Sequence, residues 1–262
     1  MITKLTKLLW RRLFLIGAFS IVITDSPGQT TKLISSAFSH HAWTIYANPA
    51  IHPKERVRFG LVGGQGGVGN TLTSISVSSL FRVHNTSLGL LYQRTGYAVS
   101  NWALWSGHVA QKLNTTWRAG INMHYQSLQV RDYLIPKSGL QIDVGVHGQW
   151  SQRQFAIMLL NVLPDQLHLS DPELRAAGLN QFSPKSSLEF QVGILPNRLL
   201  LAAIYHRVWR KKVSVDFAAQ TAIPFLSLQL NIGLRDRLTI RTTSRYHPIT
   251  GWQSAGSMEW IR

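Results

Sequence analysis

Residues 63–71 read GGQGGVGNT, a glycine spacing that could cradle phosphate oxygens on backbone N–H groups. A nucleotide-binding loop of that kind also needs a lysine for the β/γ-phosphates and a hydroxyl for Mg²⁺. Thr71 supplies the hydroxyl, but Gln65 and Asn70 stand where the lysines would carry charge. The next segment should be a helix aiming its N-terminus at the anion. Residues 72–83, LTSISVSSLFRV, are instead rich in serine and β-branched side chains, which are poor helix formers. Ile75, Val77 and Ser79 follow a period of two. The glycines are therefore read as a turn or a close backbone approach, either the first hairpin or a contact with an N-terminal plug.

The other reactive side chains are the histidines and a few carboxylates. His40 and His41 are adjacent, which sends their side chains apart on an extended chain. His124 and His147 fall on the polar faces of neighbouring predicted strands and are expected to meet in a shared interior. No Glu or Asp accompanies them at ligand spacing, so no metal or other cofactor is expected. Asp143 and Asp216 are candidate buried carboxylates, expected to pair with Arg118 or Arg241 rather than to form a general acid/base pair. The chain has no cysteine and no G-x-S-x-G element, and no Ser/His nucleophile can be placed, so it is not expected to be an enzyme.

Twenty-seven basic residues oppose 11 acidic ones, a formal charge of +16. Such an excess raises nucleic acid, anionic lipid or an acidic protein as partner. The N-terminus narrows the choice. MITKLTKLLWRR carries Lys4, Lys7, Arg11 and Arg12, an apolar LFLIGAFSIVI follows, and small Ser26 and Gly28 precede Gln29. This is the order of a secretory signal peptide, assigned to residues 1–28. The apolar run is shorter than the ~20 residues of a spanning helix. Export removes the cytoplasmic nucleotide-binding reading and leaves no place for nucleic acid.

Those side chains must be positioned by something, and the body of the chain reads as strands. In 117–125, WRAGINMHY, Trp117, Ala119, Ile121, Met123 and Tyr125 share one face, and Arg118, Gly120, Asn122 and His124 the other. The same alternation runs through LQIDVGVHGQW (140–150), KVSVDFAAQ (212–220) and FLSLQLNIGL (225–234). Turn signals separate such runs: HNT at 84–86, LNTT at 113–116, SQRQ at 151–154, LPNR at 195–198, WRKK at 209–212, RDR at 235–237 and HPITG at 247–251. Residues 164–185 break the texture with three prolines and are expected to be a loop outside the strands, DPELRAAG forming a helical turn between Asp171 and Gly178.

Strands of 9–12 residues match the ~9–11 residues a tilted strand needs to cross a bilayer. In a membrane barrel the apolar face meets lipid and the polar face lines the interior. The polar faces here are mostly Asn, Gln, Ser and Gly with scattered His and Arg, not the dense charge of a water-facing sheet. Trp102, Trp105, Trp117, Trp150, Trp209, Trp252 and Trp260 sit near strand ends, as an interfacial girdle requires. Lys and Arg at turns would meet lipid phosphates or lipopolysaccharide. The expectation is an all-β, transmembrane antiparallel barrel of about 12–14 strands over residues 56–262 in the outer membrane. Residues 29–55 form a short plug-like or periplasmic segment ahead of it.

YANPAI at 46–51 resembles the NPA segment near the mature N-terminus of FadL-like barrels and the related PorV/PorQ proteins of Bacteroidetes. Looser similarities run through VAQKLNTTWRAGINMHYQSLQVRDY (109–133) and IDVGVHGQWSQRQFAIMLLNVLP (142–164), the latter with Asp143, Gly145 and Asn161 in matching places. The last residue, Arg262, departs from the common aromatic end, with Trp260 displaced from it. The resemblance implies a barrel of about fourteen strands and a hatch carrying Asn48, Pro49 and Ala50. It implies either a PorV/PorQ-like component that binds type IX secretion proteins, the reading preferred on sequence, or a FadL-like transport barrel for a hydrophobic or small anionic solute.

Overall fold

The structure, a computed structural model, describes residues 37–38, 47–66, 72–96, 100–130, 137–163, 172–196, 198–210, 213–220, 225–235, 237–247 and 251–262. Residues 1–28, where the signal peptide is expected, lie outside the described residues, as do His40 and His41.

Fourteen strands follow one another with no helix between them among the described residues. They are β1 (Val57–Gly66), β2 (Leu72–Val83), β3 (Thr86–Gly96), β4 (Ser100–Lys112) and β5 (Trp117–Val130). Next come β6 (Lys137–Trp150), β7 (Arg153–Leu160), β8 (Glu173–Ser183), β9 (Ser186–Leu195) and β10 (Arg198–Arg210). The last four are β11 (Val213–Gln220), β12 (Phe225–Arg235), β13 (Leu238–His247) and β14 (Gly251–Ile261). Each pairs antiparallel with its neighbours in sequence, and β1 pairs with β14 from Arg58↔Ile261 to Gln65↔Ser254, closing the barrel. Closure leaves no sheet edge unpaired, the condition a sheet must meet to stand in lipid.

The alternation that builds the strands also assigns their faces. Outward side chains are large and apolar: Leu90 is 64% exposed and Phe190 57%. Inward side chains are polar and covered: Asp143, His147 and Arg175 are all 0% exposed. A water-soluble domain has the opposite distribution.

Hairpins at one end are short, with connections at 84–85, 113–116, 151–152, 184–185, 211–212 and 236–237. The chain termini of the barrel meet at that end, where Val57 N–H donates to the Arg262 carbonyl (3.0 Å) and Arg262 N–H to that of Val57 (2.9 Å). The opposite end carries the longer connections, among them 67–71, 131–136 and 161–172.

Three local expectations are decided here. The glycines of 63–66 close β1 and β2 follows from Leu72, so the glycine-rich stretch belongs to the first hairpin, and a strand stands where a phosphate loop would need a helix. A Cβ on Gly63 would meet nothing within 4 Å among the described residues. Second, ELRAAG belongs to a strand, not a helical turn in a loop: β8 turns Glu173, Arg175 and Ala177 inward and Leu174 outward. Its inward charges neutralise each other, Arg175 Nε donating to Glu173 Oε1 (2.8 Å), which disguises a strand as a polar loop. Third, Trp102 is not part of an outer girdle. It points inward, 6% exposed, with Nε1–H donating to Gln126 Oε1 (3.3 Å). Trp150, Trp209 and Trp260 are outward and exposed near strand ends as expected, whereas Trp105 is outward but lies in the middle of β4.

Candidate functional site

The interior of the barrel is occupied on one side by the chain's own N-terminal segment. Ala47, Asn48, Ala50 and Ile51 are all 0% exposed. Asn48 folds this stretch on itself: its Oδ1 accepts the Ala50 N–H (2.9 Å), and its backbone carbonyl accepts the Ile51 N–H (3.2 Å). Asparagine suits this role because its short amide can bond the backbone two residues on. The Asn48 Nδ2 donates to the Ala37 carbonyl (2.8 Å), and the Ala37 N–H donates to Glu189 Oε1 of β9 (2.8 Å). Pro49 lies on Gly120 of β5 and Gly145 of β6. The Ile51 carbonyl accepts the Ser87 hydroxyl of β3 (3.1 Å).

The wall beneath this segment is a ladder of hydrogen bonds across β3 to β7. His108 Nδ1 faces Asn122 Oδ1 (2.7 Å). His124 is held from both sides, its Nδ1 by the Ser106 hydroxyl (2.7 Å) and its Nε2 by Asp143 Oδ2 (2.8 Å). An ionised carboxylate only accepts, so Nε2 carries a proton toward Asp143, and Nδ1 shares the second hydrogen bond with the Ser106 hydroxyl. Asp143 Oδ1 accepts the Asn161 N–H (2.8 Å). This places a serine, a histidine and an aspartate in hydrogen-bonded sequence. All three are closed from solvent, Ser106 being 4% exposed and the others 0%. The set is a buried relay that locks three strands together.

A second network crosses the remaining strands. His206 bonds Asp216, and Asp216 Oδ2 accepts from Asn231 Nδ2 (3.0 Å). Asn231 Oδ1 accepts from Arg241 Nε, and Arg241 pairs with Glu259 (3.2 Å). Glu259 also pairs with Arg58 (3.3 Å), which bonds Glu55 just ahead of β1. Arginines and carboxylates alternate along it, so each of Arg58 and Arg241 has a carboxylate partner.

All the interior residues expected from sequence turn inward, but the pairings differ. Asp143 is held by His124 and Asn161, since register sets it opposite Asn122 with His124 on the diagonal, while Arg118 stands opposite His147. Asp216 is held by His206 and is linked to Arg241 through Asn231. His124 stands opposite Gln141 and His147 opposite Arg118, so register separates the two histidines along the strands. Ser106, His108, Glu189 and Glu259 were not singled out. Ser106 and His108 share their inward face with Trp102 and Leu104, so β4 has no clean polar face to read.

His52 follows the buried turn and is 7% exposed. Its pKa is lowered to about 4, first by burial and then by the positive charges of Arg118, Arg82 and Lys112 and by His108. It is therefore neutral at pH 7.

Toward the long-connection end an apolar patch interrupts the polar inward wall, which there also carries Gln93, Thr95, Gln126 and Gln141. Leu91, Trp102 and Leu104 pack with Ile51 and Leu80, with Leu128 alongside. Phe38 packs with Met158, Leu160 and Ala177 across the interior wall of β7 and β8.

No family model and no curated protein sequence matches this chain. Solved structures do match its fold. The CymD monoaromatic hydrocarbon channel superposes with a TM-score of 0.56 at 10% identity, covering 87% of this chain and 95% of CymD. The outer membrane protein Omp33 of Acinetobacter baumannii gives 0.56 at 6% identity, over 79% of this chain and 98% of Omp33. The P. putida toluene transporter TodX gives 0.54 at 7% identity, over 85% and 91%. At such identities the likeness is one of fold: a closed, antiparallel, membrane-type β-barrel.

Proposed function

We propose that this protein is an outer-membrane channel for small apolar solutes, with the segment around Asn48–Ile51 acting as a hatch in the barrel. The observation that carries this reading is the inward-facing patch of Leu91, Trp102, Leu104 and Leu128 at the long-connection end. A water-filled porin lines its interior with polar groups. An apolar patch among the polar groups of the interior favours solutes that leave water readily, since ligand sites are mostly apolar with few polar groups. The fold shared with a hydrocarbon channel and a toluene transporter supports the same reading. Outward Leu, Phe and Trp side chains place the barrel in a bilayer. A secretion-system role, preferred on sequence, draws no support from a particular feature of the barrel.

The test is toluene uptake into vesicles whose outer leaflet is lipopolysaccharide, with and without the reconstituted barrel. Uptake faster than in empty vesicles, and slowed by Trp102→Arg, is expected. Uptake equal to that of empty vesicles would sink the proposal.

A further inference from the structure

At the short-hairpin end, three cations converge on the interior with no carboxylate paired to them among the described residues. Arg82, Lys112 and Arg118 lie on the inward faces of β2, β4 and β5, near the last residue of β2 and β4 and the first of β5. Lys112 and Arg118 stand directly opposite each other across the β4–β5 pair. Like charges in that position destabilise a sheet. Elsewhere in the interior every arginine of the networks above meets a carboxylate: Arg175 meets Glu173, Arg58 meets Glu55 and Glu259, and Arg241 meets Glu259. Among the described residues no carboxylate pairs with Arg82, Lys112 or Arg118. The bonds of Arg118 go to the neutral acceptors Gln149 (2.9 Å) and His147 (3.5 Å), and Arg82 reaches the Pro53 carbonyl (3.4 Å). Residues 29–46, ahead of this segment, contain no Asp or Glu.

Two polar atoms at this place also lack partners among the described residues. His52 Nδ1 and Arg118 Nε are buried with no hydrogen bond there. Buried polar groups are nearly always satisfied, so two orphans beside unpaired cations point to a ligand.

We propose that the short-hairpin mouth of the barrel binds a phosphate-bearing anion between His52 and the cations Arg82, Lys112 and Arg118. Phosphate suits the site better than a monovalent anion. A phosphate monoester carries about −1.5 to −2 charge at pH 7 and offers three acceptor oxygens. Arginine supplies planar paired donors and lysine a point charge. The neutral His52 ring can donate to a phosphate oxygen, or accept from a singly protonated one. Because the three cations project into the lumen, the natural occupant is a soluble phosphate or phosphate ester; a lipid headgroup of the adjoining leaflet shares the chemistry. The site does not depend on the solute proposed above, since it lies at the other end of the interior and is tested by binding.

The experiment is calorimetric titration of the full barrel in zwitterionic nanodiscs with inorganic phosphate, in chloride buffer. Saturable binding is expected, weakened about tenfold or more by Arg118→Gln or Lys112→Gln, the loss of one charge-assisted hydrogen bond. Arg207→Gln, an exposed outward cation on β10, should leave it unchanged. Lys112 is partly exposed, so its variant keeps the test open if Arg118→Gln fails to fold. Absence of binding, equal weakening in all three variants, or chloride competing at equal concentration overturns the site. Repeating the titration in phosphatidylglycerol nanodiscs assigns the source. An unchanged isotherm supports a soluble phosphate, and an isotherm lost to lipid competition supports a phospholipid headgroup at the same site.

Discussion

The carbonyl of Pro49 rests against the Cα of Gly120 so closely that a methyl group at Gly120 would occupy its place. Glycine is used here because a hatch backbone and a barrel wall meet without room for a side chain between them. Gly120→Ala is therefore expected to unseat the NPA turn while leaving β5 paired, since alanine is acceptable in a strand. Overpacking of this kind costs about 1–3 kcal/mol. Single-channel recording in a planar bilayer should show higher or more frequent conductance for Gly120→Ala. Gly107→Ala is the control, because a Cβ there meets nothing within 4 Å. Identical conductance in the two variants would mean that the seat does not close the lumen.

The Ser106–His124–Asp143 relay gives a second prediction. Asp143→Ala leaves the His124 Nε2–H and the Asn161 N–H without their acceptor in a fully buried place. Breaking a buried pair from one side costs about 3–5 kcal/mol. Asp143→Asn keeps an oxygen for Asn161 and a neutral partner for His124, so it should lose less. Urea unfolding from lipid vesicles, followed by tryptophan fluorescence, measures both. Equal stability of Asp143→Ala and the parent would show that the relay does not hold β4, β5 and β6 together.

Most of the barrel could be read from sequence because lipid and lumen impose opposite chemistries on alternate residues. Trp117, Ile121 and Met123 against Arg118, Asn122 and His124 state both faces of β5 without ambiguity. The strand that escaped, β8, carries its ion pair between two residues of one strand, Glu173 and Arg175, so its polarity looks like that of a loop. Interior partners were harder than interior faces. Asp143 could have met any inward cation by pattern alone; only register puts it beside His124. The role of Gly120 was also hidden, since an inward glycine on a strand reads the same whether it faces water or a hatch. The glycine-rich stretch from 63 was legible as the first hairpin, because the period of two that follows it leaves no helix for a phosphate loop.

The outward face tests the membrane reading directly. Leu90 lies in the middle of β3 and is 64% exposed. An arginine on the lipid face near the bilayer midplane destabilises a barrel by about 2–4 kcal/mol, whereas a water-facing position would tolerate it. Leu90→Arg should reduce folding into vesicles and reduce the heat-modifiable gel mobility of the folded form. Gln111→Arg, on an exposed strand end near a short hairpin, should fold like the parent. Equal folding of both variants would count against a bilayer around β3.

His52 makes the hatch sensitive to acid. Its folded pKa is lowered from 6.5 to about 4, by burial first and then by Arg118, Arg82, Lys112 and His108 facing it. A group whose pKa falls on seating binds fewer protons in the seated state than in the released one, so stability of the seat rises with pH. The contribution is fully present above pH 6.5 and is lost progressively as pH falls toward 4. Protonation would add a positive charge to three others already unpaired, which favours release of the turn into water. Conductance in phosphate-free buffer should therefore increase between pH 7 and pH about 4.5. His52→Gln, which cannot charge, should flatten that rise. Added phosphate should oppose it, because a bound anion compensates the same charges. A pH response that survives unchanged in His52→Gln would assign the acid sensitivity to another group and remove His52 from the control of the hatch.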